Sequence, residues 1–203
     1  MTEMERYRQK CRTFFGALWP AEEKVLVFGE GQSDRPPVML IGEAPGEQET
    51  LQGRPFVGKA GKNLDGFLEA VHLKREDIYI SNVVKIRPVK VSAKGTVSNR
   101  TPSREEFELF APYLYEEIGL VRPGMLVTLG NTALRAIMGA KAVIGACHGQ
   151  VLHVTEAGGM RIETDVFPLY HPASVIYNRS LQSVYEEDLA RLDEELTRRG
   201  ARP

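Results

Sequence analysis

Short runs of apolar residues alternate along the chain with longer stretches in which apolar residues recur every three or four positions. Four runs have the length and continuous hydrophobicity of buried strands: Val38–Ile41, Ile78–Val84, Met125–Leu129 and Val166–Leu169. The intervening periodicity predicts helices over 3–15, 59–71, 104–118, 130–138 and 181–198. Buried strands that alternate with helices indicate an α/β fold, with a mostly parallel four-stranded sheet covered by helices on both faces.

The composition is that of an ordinary globular protein. The 203 residues are 42% hydrophobic and 26% charged, which predicts one domain over residues 1–203. We find no run of about 18 apolar residues that could span a membrane, and Met1–Lys10 lacks the apolar core of a signal peptide. Cys11 and Cys147 are too few for a disulfide framework. We expect a cytoplasmic protein that works as a monomer, away from membranes.

The candidate chemistry lies where the predicted strands end. Glu43 and Glu47 occupy a Gly/Pro-punctuated turn after the first strand. Asn82 lies near the end of the second strand, and His171 follows the last. In an open α/β sheet, ligands bind beyond the carboxyl ends of the strands, so we expect these side chains to converge. Phe56 lies in a second glycine-rich stretch, residues 53–61, where backbone can approach a ligand closely. Ordinary strand-to-helix turns and a loop-capping asparagine are the alternative interpretation.

These residue types together suit a nucleobase. An asparagine amide has donors and an acceptor that match the polar edge of a pyrimidine, and phenylalanine offers a stacking face. A histidine can donate to a carbonyl oxygen that gains negative charge. A carboxylate can position water or stabilise a cationic sugar, as in glycoside cleavage. The sequence therefore predicts a nucleobase pocket formed by Glu43 or Glu47, Phe56, Asn82 and His171.

The segment from residue 85 to residue 104 is the clearest candidate for contact with an anion. It has no acidic residue and six basic ones: Lys85, Arg87, Lys90, Lys94, Arg100 and Arg104. Pro88, Gly95 and Pro102 predict a loop. Because the formal net charge of the chain is −1, a polyanion would have to be held by such a local patch. Backbone N–H groups at the helix start, Gly130 and Asn131, could also hold a phosphate. A solvated, mobile loop is the alternative interpretation.

Five short motifs follow one another along the chain. They are Gly-Glu-Ala-Pro-Gly at 42–46, Gly-Arg-Pro-Phe-Val-Gly at 53–58, Asn-Val-Val-Lys at 82–85, Asn-Arg-Thr-Pro at 99–102 and His-Pro-Ala at 171–173. Each motif is weak by itself, but five in this order and rough spacing are specific. From about residue 25 to residue 192, the chain resembles the uracil-DNA glycosylase superfamily. The resemblance is strongest to family 4, the iron–sulfur uracil-DNA glycosylases of bacteria and archaea.

The resemblance implies a three-layer α/β/α domain that flips uracil out of DNA and hydrolyses its N-glycosidic bond, leaving an abasic site. It implies that Phe56 stacks on uracil, that Asn82 reads its polar edge and that His171 donates to O2. Glu43 would lie near the attacking water, with Glu47 as a second candidate. The other expected substrate contacts are Gly42, Ala44, Pro45 and Gly46, and Ala44 stands where some sister families place a catalytic aspartate.

The implied partner is DNA containing uracil, single- or double-stranded. Residues that follow His171 would form a wedge whose apolar side chains fill the gap left by the flipped base. With the basic segment and the helix start, the expected DNA-binding residues are Lys85, Arg87, Lys90, Lys94, Arg100, Gly130, Asn131, Ile176, Tyr177 and Arg179.

The chain departs from family 4 in two respects. The family holds its cluster with four cysteines, one of them in a Lys-Cys-Arg-Pro stretch that reads Lys-Ile-Arg-Pro at 85–88 here. A later family cysteine is replaced near Ala111. The N-terminal cysteine pair of the family is also absent, since Cys11 is the only cysteine in that part of the chain. We therefore expect no metal or other cofactor, with Ile86 and Ala111 filling the space together with Phe14, Phe15 and Trp19. The second departure is the segment from 88 to 99, which is longer than the family's usual link.

Three functions are therefore open. The first is a cluster-free uracil-DNA glycosylase. The second is a protein of the same fold that binds uracil or DNA without turnover, or that removes another damaged base. The third is a nucleotide-binding protein that uses its glycine-rich loops for phosphate, although the chain has no Gly-x-x-x-x-Gly-Lys-Ser/Thr motif.

Overall fold

A six-stranded sheet forms the centre of the protein, in a computed structural model that describes residues 1–22 and 24–201, with only the backbone at positions 176 and 177. Its strands, in chain order, are β1 (Glu30–Gly31), β2 (Met39–Gly42), β3 (Tyr79–Asn82), β6 (Leu126–Leu129), β7 (Leu152–Ala157) and β8 (Met160–Leu169). Strands β4 (Val89–Val91) and β5 (Val97–Asn99) form a separate hairpin.

The sheet has the order β1-β3-β2-β6-β8-β7. The four central strands are parallel and are the four that the sequence predicts, whereas both edge strands pair antiparallel. The prediction of four strands is therefore wrong by two. Strand β1 has only two residues, and β7 has scattered buried positions in place of a continuous apolar run. Neither gives the buried-strand signal in the sequence.

Eight α-helices occur in the described part of the chain: α1 (Glu3–Leu18), α2 (Glu47–Gln52), α3 (Lys59–Ala70), α4 (Arg104–Val121), α5 (Gly130–Met138), α6 (Ile144–Cys147), α7 (Pro172–Tyr177) and α8 (Gln182–Arg198). All five predicted helices are present. Ser103 caps α4 as expected, since its side chain accepts a hydrogen bond from the Glu106 N–H while Glu106 bonds back to the Ser103 N–H. Helices α2, α6 and α7 are short, and the periodicity of the sequence does not predict them.

The helices cover the sheet on both faces, which gives three layers. Alternate residues of a strand point to opposite faces. Met39 and Ile41 accordingly join a core cluster with residues of α1, α4 and α5. Leu40, between them, joins a second cluster with residues of α3 and α8. No helix in the described ranges is long and apolar enough to cross a membrane.

The basic segment is not the loop that its proline and glycine residues predict. Val91 pairs with Val97 and Val89 with Asn99 across an antiparallel hairpin, which we call the valine hairpin (residues 88–99). β-branched residues favour extended backbone, and Gly95 takes the positive φ of 78° that the turn requires.

Candidate active site

The residues predicted at the strand ends do converge. Gly42, the last residue of β2, pairs in register with Asn82, the last residue of β3. His171 follows the end of β8, and Gly130 follows the end of β6. Strand β6 lies between β2 and β8 in the sheet. Gly130 has φ of 84°, and a Cβ at this position would lie 3.3 Å from the His171 Cβ. A glycine there lets the two strand ends approach each other.

Two cavities lie beyond these strand ends. The first, of about 420 Å³, is lined by Ala44, Gly46, Glu47, Phe56, Asn82, Asn99 and His171, among others. The second, of about 640 Å³, is lined by Glu43, Pro45, Arg100, Gly130, Asn131 and Thr132, among others. Ala44, Asn99 and His171 line both, so the two form one cleft. Every residue predicted for catalysis or base binding except Gly42 lines this cleft.

Gly42 lies beneath the two side chains expected to hold the base. A Cβ on Gly42 would come within 2.4 Å of Asn82 Oδ1 and 2.5 Å of Phe56 Cζ. Any larger residue would push the amide and the ring apart. The Phe56 ring also lies nearly parallel to the His171 ring, with an interplanar angle of 29° and 6.1 Å between ring centroids. The cleft therefore presents an aromatic face, an amide and an imidazole side by side.

Phe56 has an unusual backbone for a non-glycine residue, with φ of 54°. Such a conformation persists only where the surroundings hold it. Arg75 donates a 2.7 Å hydrogen bond to the Phe56 carbonyl oxygen, and Gly61 leaves room for that carbonyl, which would lie 1.9 Å from a Cβ. Strain of this kind is typical of ligand-binding positions. Sequence reasoning missed Arg75, because its partners are distant backbone groups.

Glu49 is the second residue that sequence reasoning missed. Its buried carboxylate accepts hydrogen bonds from the N–H groups of Val57 at 2.9 Å, Gly58 at 2.7 Å and Gly46 at 3.1 Å. It therefore ties the two glycine-rich turns together and fixes the loop that carries Phe56. The signal was present in the sequence, since Glu49 lies three residues after Gly46, the N-cap of α2.

His171 is held as a neutral donor. It caps α7, and its Nδ1 accepts a 3.2 Å hydrogen bond from the Ala173 N–H. Nδ1 therefore carries no proton, and in the neutral ring the proton sits on Nε2. Burial lowers the pKa of His171 below its ordinary value. The ring is consequently uncharged at neutral pH, with an N–H available for an acceptor in the cleft.

The two candidate carboxylates have different surroundings. Glu43 is half-buried and its Oε2 accepts a 2.5 Å hydrogen bond from Thr132 Oγ1, in the first turn of α5. The Glu47 side chain is 60% exposed and lies 3.2 Å from the Arg87 guanidinium. Glu43 has the fixed position that a water-orienting group needs, whereas Glu47 is turned to solvent.

The model of the uracil DNA glycosylase superfamily matches residues 28–193, which include all the residues placed around the cleft. The chain belongs to the uracil-DNA glycosylase superfamily. Over 194 residues it is 39% identical to a type-4 uracil-DNA glycosylase of Saccharolobus solfataricus, covering 93% of this chain and 82% of that protein. A type-4 enzyme of Pyrobaculum aerophilum is 39% identical over 171 residues, covering 82% of this chain and 81% of that protein.

A solved structure supports the fold. The crystal structure of SMUG2 from Pedobacter heparinus matches with a TM-score of 0.56, covering 98% of this chain and 86% of that chain. The two sequences are 14% identical, so this likeness concerns the architecture alone.

Within this superfamily fold, the expected DNA-binding residues differ in their exposure and in the partners that they already have. Lys90, Lys94 and Arg179 are exposed. Arg87 and Arg100 are engaged by carboxylates, Arg87 by Glu47 and Arg100 by both oxygens of Glu106. Asn131 uses its side-chain oxygen to accept from the Ile144 N–H, and Gly130 lines the cleft. The side chains of Ile176 and Tyr177, the expected wedge, lie outside the described residues.

The prediction that Lys85 contacts DNA is wrong, because the structure buries its side chain inside the protein. Its side chain is 1% exposed, and Nζ lies 2.6 Å from Oε2 of Glu117, which is itself 0% exposed. Nζ also donates to Ser81 Oγ and to the Asn82 carbonyl oxygen, both at 2.7 Å. Lys85 therefore holds the backbone of Asn82 from inside the protein.

The residues present do not fit the iron–sulfur cluster of family 4. A thiolate-held cluster needs four cysteines, and this chain has only Cys11 and Cys147. Cys11 is buried in the core cluster beneath α1, whereas Cys147 lies at the end of α6. No group of three or more His, Cys, Asp or Glu residues suited to a metal occurs in the ranges 1–22 and 24–201.

Four aromatic residues pack together beside Ala111, one of the positions at which a family cysteine was expected to be replaced; we call them the aromatic cluster: Phe15, Trp19, Phe110 and Tyr113. Phe15 stacks on Phe110 with 4.5 Å between ring centroids. Ile86 and Ala111 are buried in the same core cluster, as expected. Phe14 contacts Phe15 and Tyr113 but stays 44% exposed, so it contributes to the edge of this packing only.

Proposed function

We propose that this protein excises uracil from DNA by hydrolysing the N-glycosidic bond, which leaves an abasic site. The observation that carries the proposal is the convergence of Phe56, Asn82, His171 and Glu43 on one cleft, in a chain 39% identical to a type-4 uracil-DNA glycosylase. The cleft offers one group for each part of the substrate that changes or must be recognised.

The reaction as proposed depends on stabilising two separating charges. The bond from C1′ of deoxyribose to N1 of uracil breaks, and its electrons leave with uracil. Nε2–H of His171 donates to O2 as that oxygen gains negative charge. The carboxylate of Glu43 stabilises the cationic sugar and orients the water whose oxygen then bonds to C1′. The proton that this water loses is balanced by protonation of the departed uracil anion, so that free uracil and an abasic sugar are the products. Since Ala44 supplies no carboxylate, no second acid or base is assigned.

Base selection falls to Asn82 and Phe56. The Asn82 amide can accept from N3–H and donate to O4 of uracil. Cytosine has an acceptor at N3 and an amine at C4, so it reverses this pattern. The Phe56 face would stack on the flipped ring, held by the Glu49 and Arg75 contacts.

We further propose that the enzyme needs no iron–sulfur cluster and acts as a single domain over residues 1–203. The aromatic cluster, buried Ile86 and buried Ala111 support this. Their packing would hold the neighbouring segments on the domain, as cluster-binding cysteines would otherwise do. One chain supplies every residue assigned to the cleft, which supports action as a monomer. The two free cysteines are in keeping with the cytoplasm.

Single-turnover cleavage of uracil-containing oligonucleotides tests the proposal. Single- and double-stranded substrates are incubated with excess enzyme and treated with alkali to reveal abasic sites, with a thymine-containing strand as control. We expect cleavage only at uracil. Binding without abasic sites would show a non-catalytic protein, and cleavage at another damaged base alone would show a different specificity.

The two carboxylates offer a matched pair of variants for the same assay. Because Glu43 is held by Thr132 and Glu47 is turned to solvent, Glu43→Gln should slow uracil release far more than Glu47→Gln. The reverse order would move the water-orienting role to Glu47.

A further inference from the structure

The valine hairpin has two faces of opposite character. Val91 lies directly across from Val97, and Val89 shares their face because side chains alternate along a strand. Lys90 and Ser98 share the opposite face. One side of the hairpin therefore carries the three valines, with Asn99 at its base, and the other is polar and positively charged.

The apolar face is uncovered. The exposed fractions of Val89, Val91 and Val97 are 37%, 65% and 49%, and neither core cluster includes any of the three. Single exposed valines are ordinary on a protein surface. Three on one face of a hairpin, with an exposed lysine on the other face, give this segment apolar surface that a partner could cover.

The hairpin starts at the rim of the cleft. Pro88 and Asn99, the residues at its base, line the same cavity as Glu43 and His171. Its base is held firmly, since the Arg100 N–H donates to the Pro88 carbonyl oxygen at 3.1 Å and Arg87 donates to Asn99 Oδ1 at 2.7 Å. At about 3.3 Å per residue, the tip reaches roughly 15 Å from this base.

The positive charge of the hairpin segment favours a negatively charged partner. The segment from 85 to 104 has no acidic residue, and Lys90 and Lys94 are exposed and form no ion pair with any residue described in the structure. Free lysines beside an apolar face match DNA, whose phosphates bind the cations while bases and sugars accept apolar side chains. Apolar side chains that enter the base stack help to open it.

We propose that the valine hairpin is a second duplex-opening element: Val89, Val91 and Val97 press on the base stack beside the flipped nucleotide, while Lys90 and Lys94 hold phosphates. This proposal rests on the proposed function. It assigns the hairpin to duplex DNA in particular, because a single strand has no paired stack to open. The hairpin would act separately from the wedge expected on α7.

The variant Val91→Thr/Val97→Thr tests the valine face. Threonine has the shape and strand preference of valine but adds a hydroxyl, so the hairpin should fold. We expect uracil release from duplex DNA to slow roughly tenfold, since the apolar contacts of two side chains are weakened. Release from the same strand alone should stay within about twofold, because no stack has to be opened. Met160→Thr is the control, since Met160 is also exposed but lies at the amino end of β8.

Lys90→Ala/Lys94→Ala should behave differently. Each lost phosphate contact lowers the salt slope of binding by about 0.7–0.9, so this variant should weaken binding to single and double strands alike and leave uracil preference intact. Equal loss on both substrates in the threonine variant, or no loss on either, would overturn the proposal. Unchanged DNA binding in both variants would assign the face to a protein partner and overturn it too.

A binding readout keeps this test independent of catalysis. Fluorescence of 2-aminopurine placed beside an abasic analogue in a duplex reports unstacking without any cleavage. The wild-type protein should raise this fluorescence and the threonine variant should raise it less. If the wild-type protein cleaved no uracil but still produced this difference, the proposed function would fail while the hairpin proposal stood. An equal rise with both proteins would overturn the hairpin proposal alone.

Discussion

The cleft and the aromatic cluster are linked by one short segment, residues 82–87, and use opposite chemistry. At its start, Asn82 faces the cleft, where polar groups remain available to a ligand. A few residues later, Ile86 is buried in a core cluster with stacked rings. Hydrogen-bonding groups in the cleft are accessible to a substrate, whereas the apolar groups of the aromatic cluster are packed against one another.

This contrast separates activity from stability. Substitutions in the cleft should remove substrate contacts and leave the fold nearly intact. Substitutions in the aromatic cluster should lower the free energy of unfolding and leave the chemistry of folded molecules unchanged. Lys85 lies between the two regions, since it pairs with Glu117 and also holds the Asn82 carbonyl oxygen.

Lys85→Met should lower both the stability of the protein and the rate of uracil release, and it should have the largest combined effect of the variants. It leaves Glu117 buried without its cation, which costs roughly 3–5 kcal/mol of unfolding free energy, and it releases the Asn82 backbone. Urea unfolding and single-turnover uracil release measure the two effects. Adding Glu117→Gln should recover part of the stability but not the rate. Full rate in Lys85→Met would show that Asn82 is positioned without this contact.

Phe15→Ala should change stability alone. Phe15 is fully packed between Phe110 and Trp19, and truncating a buried phenylalanine costs about 3–5 kcal/mol. Urea unfolding should show this loss, while uracil release per folded molecule at low temperature stays unchanged. Phe14→Ala is the matched control, because Phe14 is 44% exposed and should cost far less. Similar losses in both variants would mean that the aromatic cluster is not the stabilising feature.

How much the sequence could predict differs between the two regions. The cleft residues Asn82 and His171 were predictable, because buried runs mark the strands and parallel strand ends meet at one edge. The contacts of Arg75 were not predictable, since its partners are backbone groups brought close only by the fold. For Glu49 the spacing from Gly46 indicates the local bond alone, and the bonds to the Val57 and Gly58 N–H groups appear only in the fold. The burial of Lys85 was equally hidden, because its partner Glu117 lies far away in the chain.

Composition misled the prediction for the valine hairpin. Pro88, Gly95 and Pro102 indicate a loop, but the prolines lie outside the two strands and the glycine lies in the turn. The alternation of valines at 89 and 91 was the signal for a strand. Prolines that lie just outside two strands therefore do not exclude the strands.

Asn82→Asp should act in the cleft alone. A carboxylate cannot donate to O4 of uracil, but it can accept from the amine of cytosine. A bidentate readout contributes about 1–3 kcal/mol of discrimination, so uracil release should slow and the preference for uracil over cytosine should narrow. Matched oligonucleotides with one uracil or one cytosine measure the ratio. An unchanged ratio would show that Asn82 does not read the base.

Chelation should have the smallest effect. If packing replaces the cluster, purified protein should be colourless, and a strong chelator should change neither its unfolding midpoint nor uracil release. Stoichiometric iron and sulfide in brown protein purified without oxygen would contradict this.

The most direct test of the cleft as a site of chemistry is the single-turnover rate of uracil release by His171→Ala, compared with wild type and with the urea unfolding of both proteins. We predict that the rate falls by about 10²–10³, the effect of removing one donor to a developing oxyanion. Unfolding should shift by only ~1 kcal/mol, since the substitution removes one helix cap. A variant with the wild-type rate would contradict the role of His171, and with it the proposed mechanism.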